Sequence, residues 1–213
     1  ALAYGLHSRM EKMDVYFVKT QGTGDRSVNK DLGFTRAHHV MLSYGFKISD
    51  NMNMKIEPYF QQLYDVPVIA DSSYSVLNRR DFYVENALVN RGKGRNIGVD
   101  ITLERYLNKG LYYMVTASIF DSKYYGGDRK WRNTLYNRNF IINVLGGKEW
   151  MVGRDKQNMF SVNFKITLQG GDRYAPVDEV ATLLDPDREV QYDETKAFSK
   201  QFSPMFITNF SVG

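Results

Sequence analysis

Apolar and polar positions alternate one for one along much of this chain. The pattern is sharpest in residues 94–125, where Ile97, Val99, Ile101 and Leu103 are separated by Gly98, Asp100, Thr102 and Glu104. A period of two sends the two sets to opposite faces of a strand. Asn108, Lys109 and Gly110 follow as a tight turn, with glycine supplying the positive φ of a short hairpin connection. The return strand sets Tyr113, Val115, Ala117 and Ile119 against Thr116, Ser118 and Ser122.

The same unit recurs on either side. Residues 2–19 form a poorly periodic lead-in that settles into an expected strand over 14–18, and 20–35 are polar and glycine-rich, a loop. Residues 39–49 alternate cleanly, with Val40, Leu42, Tyr44, Phe46 and Ile48 on one face. After a turn at Asp50-Asn51, a strand runs from Met52 to about Tyr64. A long connection is expected over 65–94, with a short strand at about 81–89. Residues 126–137 form another loop, carrying Trp131 and Arg132. Phe140, Ile142 and Val144 mark a weaker strand that closes on Gly146, Gly147 and Trp150, and a polar turn at 153–157 follows. A strand over 159–169 has Phe160, Val162, Phe164, Ile166 and Leu168 on its apolar face. Residues 170–203 make the longest loop, rich in acids, and a last strand starts near Met205.

Connections therefore alternate long and short along the chain. Outer-membrane barrels are built this way, with short periplasmic turns and longer extracellular loops, whereas a soluble sheet has no reason to gather its long loops at one end. Parity gives a second test, because a charge on the apolar face is tolerated only near the membrane interface. Arg105, Lys148 and Gln62 are the polar residues on that face, and each lies near a strand end where it can snorkel. Tyr64, Tyr106, Tyr112 and Trp150 also fall near strand ends, as an aromatic girdle would.

Composition narrows the choices a little. With 24% charged residues and a mean hydropathy of −0.44, no helical membrane span is present, which leaves a barrel open. There is no cysteine, so disulfides and thiolate chemistry are excluded. The formal charge is +4, but Arg105, Arg129 and Lys130 are interleaved with Asp100, Glu104 and Asp128, so no basic stripe for nucleic acid exists. The strand pattern begins abruptly and stops at Val212-Gly213 without a terminal aromatic, and no charged-then-apolar leader opens it. We therefore expect a partial chain.

Several strings resemble TonB-dependent outer-membrane receptors of the Bacteroidetes type, the subset with a carboxypeptidase-regulatory-like domain ahead of the plug. They are Gly94-Arg95-Asn96-Ile97-Gly98-Val99-Asp100-Ile101-Thr102-Leu103-Glu104-Arg105 with Leu111-Tyr112-Tyr113, Ser118-Ile119-Phe120-Asp121-Ser122-Lys123-Tyr124, and Trp131-Arg132-Asn133-Thr134. Leu145-Gly146-Gly147-Lys148-Glu149-Trp150 and Gly170-Gly171-Asp172-Arg173-Tyr174 complete the set. Similar strings occur in this order in the C-terminal third of such barrels. The resemblance implies an all-β fold in which residues 1–213 are the C-terminal part of a transmembrane antiparallel β-barrel, itself plugged and of about 22 strands. It implies a bacterial outer-membrane location, uptake of a small extracellular nutrient, and energy from TonB through an N-terminal plug outside this chain. Outer-membrane lipid and lipopolysaccharide would surround it, with a surface lipoprotein as a candidate partner. The chain departs from the family pattern at Ile207 and Asn209, which are neutral where charged residues are usual.

Candidate chemistry is sparse. Residues 92–98 superficially suggest a phosphate loop, but they lack its spacing and lead into a strand; a flexible loop entering the strand is the expectation. His38 and His39 point to opposite faces of a strand and cannot chelate together, so structural roles near a barrel rim are expected for them and His7. No serine–histidine pair stands out, and neither catalysis, a metal nor a cofactor is expected. Asp178, Glu179, Asp185, Asp187, Asp193 and Glu194 read as a solvated acidic loop, lacking a calcium-loop pattern. Candidate ligand-binding residues are loop aromatics and arginines: Tyr124, Tyr125, Arg129, Trp131, Arg132, Tyr136, Arg173 and Tyr174, with Tyr74 and Tyr83 as further aromatics. Lys55, Glu57, Asp100, Glu104 and Lys165 are expected to face the lumen and to meet the plug or the permeant. A second reading is a self-contained barrel of about eight strands acting as anchor or adhesin, and a third is an outer-membrane hydrolase.

Overall fold

The computed structural model describes residues 1–19, 27–78, 86–187 and 189–213. Tyr83 and the first five residues of the strand expected at 81–89 lie outside them. The chain is an antiparallel meander. In order it forms β1 (Leu2–Arg9), helix α1 (Met13–Tyr16), β2 (Thr35–Leu42), β3 (Tyr44–Ser49), β4 (Met52–Val68), β5 (Val89–Asn108), β6 (Leu111–Tyr125), β7 (Trp131–Asn133), β8 (Phe140–Val152) and β9 (Asn158–Gln169). A small ribbon of β10 (Arg173–Tyr174) and β11 (Lys200–Gln201) encloses helix α2 (Glu179–Leu184), and β12 (Met205–Val212) ends the chain. The large sheet runs β1-β2-β4-β5-β6-β8-β9-β12, with β3 on β4 and β7 on β6. β1 and β12 are its two edges and do not pair, so the sheet is open rather than a closed barrel.

β2 and β3 are one strand interrupted for a local reason. The registers Met41↔Tyr59 and Tyr44↔Ile56 are continuous, which places Leu42 opposite Pro58. Proline has no N–H to give to the ladder. Ser43 turns instead to β1, donating from its N–H to the Ala1 carbonyl and accepting from the Ala1 amine, both at 2.7 Å. The β5–β6 turn is the hairpin the sequence spells out: Lys109 and Gly110 take φ +50° and +73°, and Asn108 pairs with Leu111. A side chain at Gly110 would stand 2.3 Å from the Glu149 carbonyl.

Four expectations are corrected. Residues 14–18 are mostly helix, because Val15 and Val18, three apart, bury together among the loops. The lead-in contains a full strand, β1, whose Ala3 and Gly5 weakened its alternation. The connection expected over 65–94 spans only 69–88, since β4 and β5 pair outward to Val68↔Val89. Gly92 and Gly94 therefore lie in a strand, not a flexible loop; a Cβ at Gly92 would meet Val68 Cγ1 at 2.4 Å, so glycine is needed for close packing.

Cross-strand register assigns the faces. Phe60, Ile97, Val40 and Tyr4 are in register across four strands, as are Val99, Ile119 and Phe140, and Phe164 with Phe210. Among the described residues no other layer covers this face: Leu2 is 74% exposed, Tyr4 65%, Ile119 56% and Phe210 75%. The buried hydrophobic cluster, Val15, Val18, Val66, Val76 and Leu88, sits instead among the long connections at one end of the strands. An even number of strand crossings separates successive long connections, so those that follow β1, β4, β6 and β9 all leave and re-enter the sheet at that end.

Candidate functional site

The opposite face of the sheet is polar and bonded across its strands. Asn96 accepts from Ser122 Oγ at 2.6 Å and donates to Gln61 at 3.0 Å; Ser118 donates to Asp100 at 2.5 Å. Further along, Thr167 donates to Asn143, Tyr112 to Asn163, and Asn163 to Ser211. Lys55, Glu57, Asp100, Glu104 and Lys165 all lie on this face by register, Glu57 opposite Asp100 and Lys55 opposite Thr102. Lys55 and Glu57 form an ion pair at 2.8 Å. Two hollows lie along it. One, of about 730 Å³, is lined by His7, His39, Tyr59, Gln61, Asp100 and Tyr136 among others. The second, about 500 Å³, includes Lys47, Lys55, Thr102 and Glu104. A smaller hollow, about 360 Å³, lies on the apolar face among Tyr113, Val115, Val144, Trp150 and Phe164.

Of the four aromatics near strand ends, two lie on the apolar face and two on the polar face. Trp150 packs on Phe160 at 5.7 Å and Tyr64 stacks on His38 at 5.3 Å, both on the apolar face. Tyr112 and Tyr106 turn the other way; Tyr112 bonds Asn163, and Tyr106 accepts from Asn53. Arg105 and Lys148 are on the apolar face by register, and Lys148 bends to the turn, donating to the Lys109 carbonyl at 2.6 Å. Gln62 satisfies itself on the Leu63 and Gly94 carbonyls. The histidines divide as adjacent strand residues must. His38 accepts from or donates to the Tyr4 hydroxyl on the apolar face, and His39 lies 4.6 Å from the His7 ring on the polar face. Among the described residues no group of three or more histidines, cysteines or carboxylates is placed to hold a metal ion.

The eight candidate loop residues separate into five places. Tyr125 and Trp131 pack together at 5.5 Å, with Lys93 over the Tyr125 ring and Arg95 over the Trp131 ring. Tyr124 is fully buried, edge-on to Phe198 at 6.0 Å, and Arg132 is buried and clamped on Asp128, so neither is presented to a ligand. Arg129 takes φ +62° in the turn between β6 and β7. Tyr136 overlooks the larger hollow. Arg173 and Tyr174 line a different cavity.

That cavity, about 590 Å³, lies where three long connections meet. Ser73, Tyr74 and Asn78 come from the β4–β5 connection and Leu135 from the β7–β8 connection. The β9–β12 connection supplies Arg173, Tyr174, Tyr192, Glu194, Phe198 and Phe202, with Tyr174 stacked on Phe202 at 4.4 Å. The loops are tied to one another. Glu194 accepts from Ser72 Oγ at 3.2 Å and Ser73 Oγ at 3.4 Å; Asn78 Oδ1 accepts from the Leu135 N–H at 2.8 Å. Arg173 donates from Nε to the Asn137 carbonyl and from Nη2 to Asn139 Oδ1. Glu194 is presented by a 3₁₀ turn that Asp193 caps, and the Thr195 hydroxyl and Lys196 hold the Asp193 carboxyl down at about 2. Burial lowers the pKa of Arg173, which rests on neutral oxygens.

Tyr192, Glu194, Phe198 and Phe202 were not among the candidates. Their signal was the crowding of aromatics into a loop otherwise read as solvated. Comparison of the chain with protein-family models, curated proteins and solved structures finds no match.

Proposed function

We propose that this chain is part of the transmembrane barrel of a TonB-dependent outer-membrane receptor, of the Bacteroidetes type it resembles, that takes up a small extracellular nutrient. The observation that carries the reading is the uncovered apolar face of the large sheet. Contiguous exposed apolar surface of this extent calls for a membrane or a partner. Every strand in the sheet contributes to it, while the other face is polar and hydrogen-bonded across its strands, which is the division a membrane barrel wall requires. The gathering of the long connections at one end supports the same reading.

On this reading the apolar face meets outer-membrane lipid, and the short turns β3–β4, β5–β6 and β8–β9 face the periplasm. The long loops face the exterior and bind the nutrient, which passes through the lumen once the plug rearranges. Lys55, Glu57, Asp100, Glu104 and Lys165 contact the plug or the permeant. β1 and β12 pair with strands of the same polypeptide outside these residues. The alternative of a self-contained barrel would need β1 and β12 to close on each other, and they stand at opposite edges.

The intact mass of the denatured polypeptide from its native source tests the reading. A mass several times 24.7 kDa is expected. A mass close to 24.7 kDa would leave no room for a plug and would overturn it.

A further inference from the structure

We infer that His7 and His39 together form a two-nitrogen clamp for a divalent transition-metal ion, with Cu²⁺ the ion held most tightly. The inference goes beyond the receptor reading and does not rest on it, because the clamp stands on the polar face whatever surrounds the sheet.

Register brings the two rings together. His7 is opposite Ala37 and His39 is opposite Gly5, so the histidines hold diagonal positions on β1 and β2. Their ring centres are 4.6 Å apart, with the planes tilted by 44°. Gly5 is what lets them meet. The His7 ring lies across it, with Nε2 only 2.5 Å from where a Cβ on Gly5 would stand. Residues directly opposite in an antiparallel pair carry their Cβ atoms ~5 Å apart, so this nitrogen edge is turned toward the base of His39. The third histidine is differently placed: His38 stacks between Tyr4 and Tyr64 and shares a hydrogen bond with the Tyr4 hydroxyl. Among the described residues neither His7 nor His39 makes a hydrogen bond or an ion pair, so each neutral ring keeps an unused nitrogen lone pair.

The spacing of the rings narrows the choice of ion. Imidazole suits copper, nickel and zinc alike. An ion ~2 Å from a ring nitrogen lies roughly 3.2 Å from the ring centre. Two rings at a right angle about that ion then stand about 4.5 Å apart, and two at the tetrahedral angle about 5.2 Å. The observed 4.6 Å is the right-angle case. That is the tetragonal geometry Cu²⁺ and Ni²⁺ take with nitrogen and oxygen donors, and Cu²⁺ leads the order of affinity. Among the described residues no third histidine, cysteine or carboxylate completes the set. The remaining positions fall to water, or to donors on a permeant, in a hollow of about 730 Å³ that Tyr59, Gln61 and Asn96 also line.

The test is histidine modification by diethyl pyrocarbonate in the full-length polypeptide in detergent, across a titration with copper(II) chloride. Mass spectrometry reads the rate at each histidine, and a nitrogen bound to copper cannot attack the reagent. His7 and His39 should both be slowed at least tenfold, at one shared copper concentration, while His38 keeps its rate. Each single variant should then undo the other's protection. At that concentration His39 should react at least tenfold faster in His7→Gln than in the unaltered polypeptide, and His7 likewise in His39→Gln. Protection of one ring alone, of neither, or of His38 equally overturns the inference, as does protection of His39 that survives His7→Gln. If a variant fails to fold, the three rates on the unaltered polypeptide decide alone. A large plugged barrel whose His7 and His39 stay reactive would sink this inference alone. Protection in a polypeptide of 24.7 kDa would sink the receptor reading alone.

Discussion

Arg132 and Asp128 hold the loop that follows β6 against the loop that precedes β12. The guanidinium makes two parallel bonds to the carboxylate, at 2.9 and 2.5 Å, and a longer one to the Thr195 carbonyl at 3.4 Å. The Arg132 side chain is 7% exposed and that of Asp128 19%. Removing one partner of such a pair strands the other charge in a desolvated place. Asp128→Ala should cost about 2–4 kcal/mol, at or below the range for fully buried pairs because Asp128 keeps some water. The double change Asp128→Leu with Arg132→Met should cost much less, since no charge is then left behind. Cleavage of the loops by protease in increasing urea measures both. The pair also sets an acid response. The Arg132 hydrogen bonds hold the Asp128 carboxyl below its ordinary value, so protons bind the unfolded loop more readily than the folded one. Its stabilisation is fully present above the unfolded value of about 3.9 and is lost as pH falls through the lower folded value. The unaltered loops should become cleavable there, and Asp128→Asn should remove that step.

At the scale of the strand, what was legible was what alternation alone determines. The runs Ile97 to Leu103, Tyr113 to Ile119 and Phe160 to Leu168 became strands with those residues on one face, and the Lys109-Gly110 turn closed as its chemistry required. What failed depended on contacts distant in sequence. Gly92 sits in a strand because Val68 needs its space, and Val15 sits in a helical turn because it and Val18 bury together with Val66 and Leu88. The site was less legible than the fold, because Glu194 and Arg173 come from one long loop and meet Asn78 and Leu135 only after three loops converge. Face assignment, by contrast, is testable one residue at a time. Ile101 and Thr102 are neighbours in mid-strand β5, on the apolar and polar face respectively. On the receptor reading, Ile101→Arg places a cation near the bilayer midplane and should cost about 2–4 kcal/mol, whereas Thr102→Arg faces water and should cost little. Urea unfolding of the full-length polypeptide in lipid vesicles measures both. Equal costs would mean that neither face meets lipid.

For the molecule as a whole, the apolar face has a measurable height. Along β6 it runs from Leu111 through Tyr113, Val115 and Ala117 to Ile119, and Asp121 and Lys123 follow on the same face. At ~3.3 Å per residue this is about 26 Å of strand. Tilted by ~40°, it covers about 20 Å along a barrel axis, close to the ~25 Å apolar band of outer-membrane barrels. Beneath it, Lys148 reaches back to the Lys109 carbonyl and Trp150 packs on Phe160, as polar and aromatic groups at an interface would. Above it, Tyr125 and Trp131 lie about 20 Å of strand beyond Ile119, which on the receptor reading is too far to share the acyl region. Trp150 and Trp131 are nevertheless almost equally exposed, at 43% and 45%, so exposure does not separate them, whereas on the receptor reading depth does. A nitroxide scan along β6 in lipid vesicles reads that depth, since dissolved oxygen concentrates in acyl chains and a water-soluble nickel chelate is excluded from them. Oxygen collisions should peak at 115, 117 and 119 and fall from 121 onward, while collisions with nickel should dominate at 116, 118 and 122. A label at 131 should meet nickel, and one at 150 should report the interface. A scan in which odd and even positions respond alike would mean that the apolar face is covered by protein, and the barrel reading would give way to a soluble sheet with a partner.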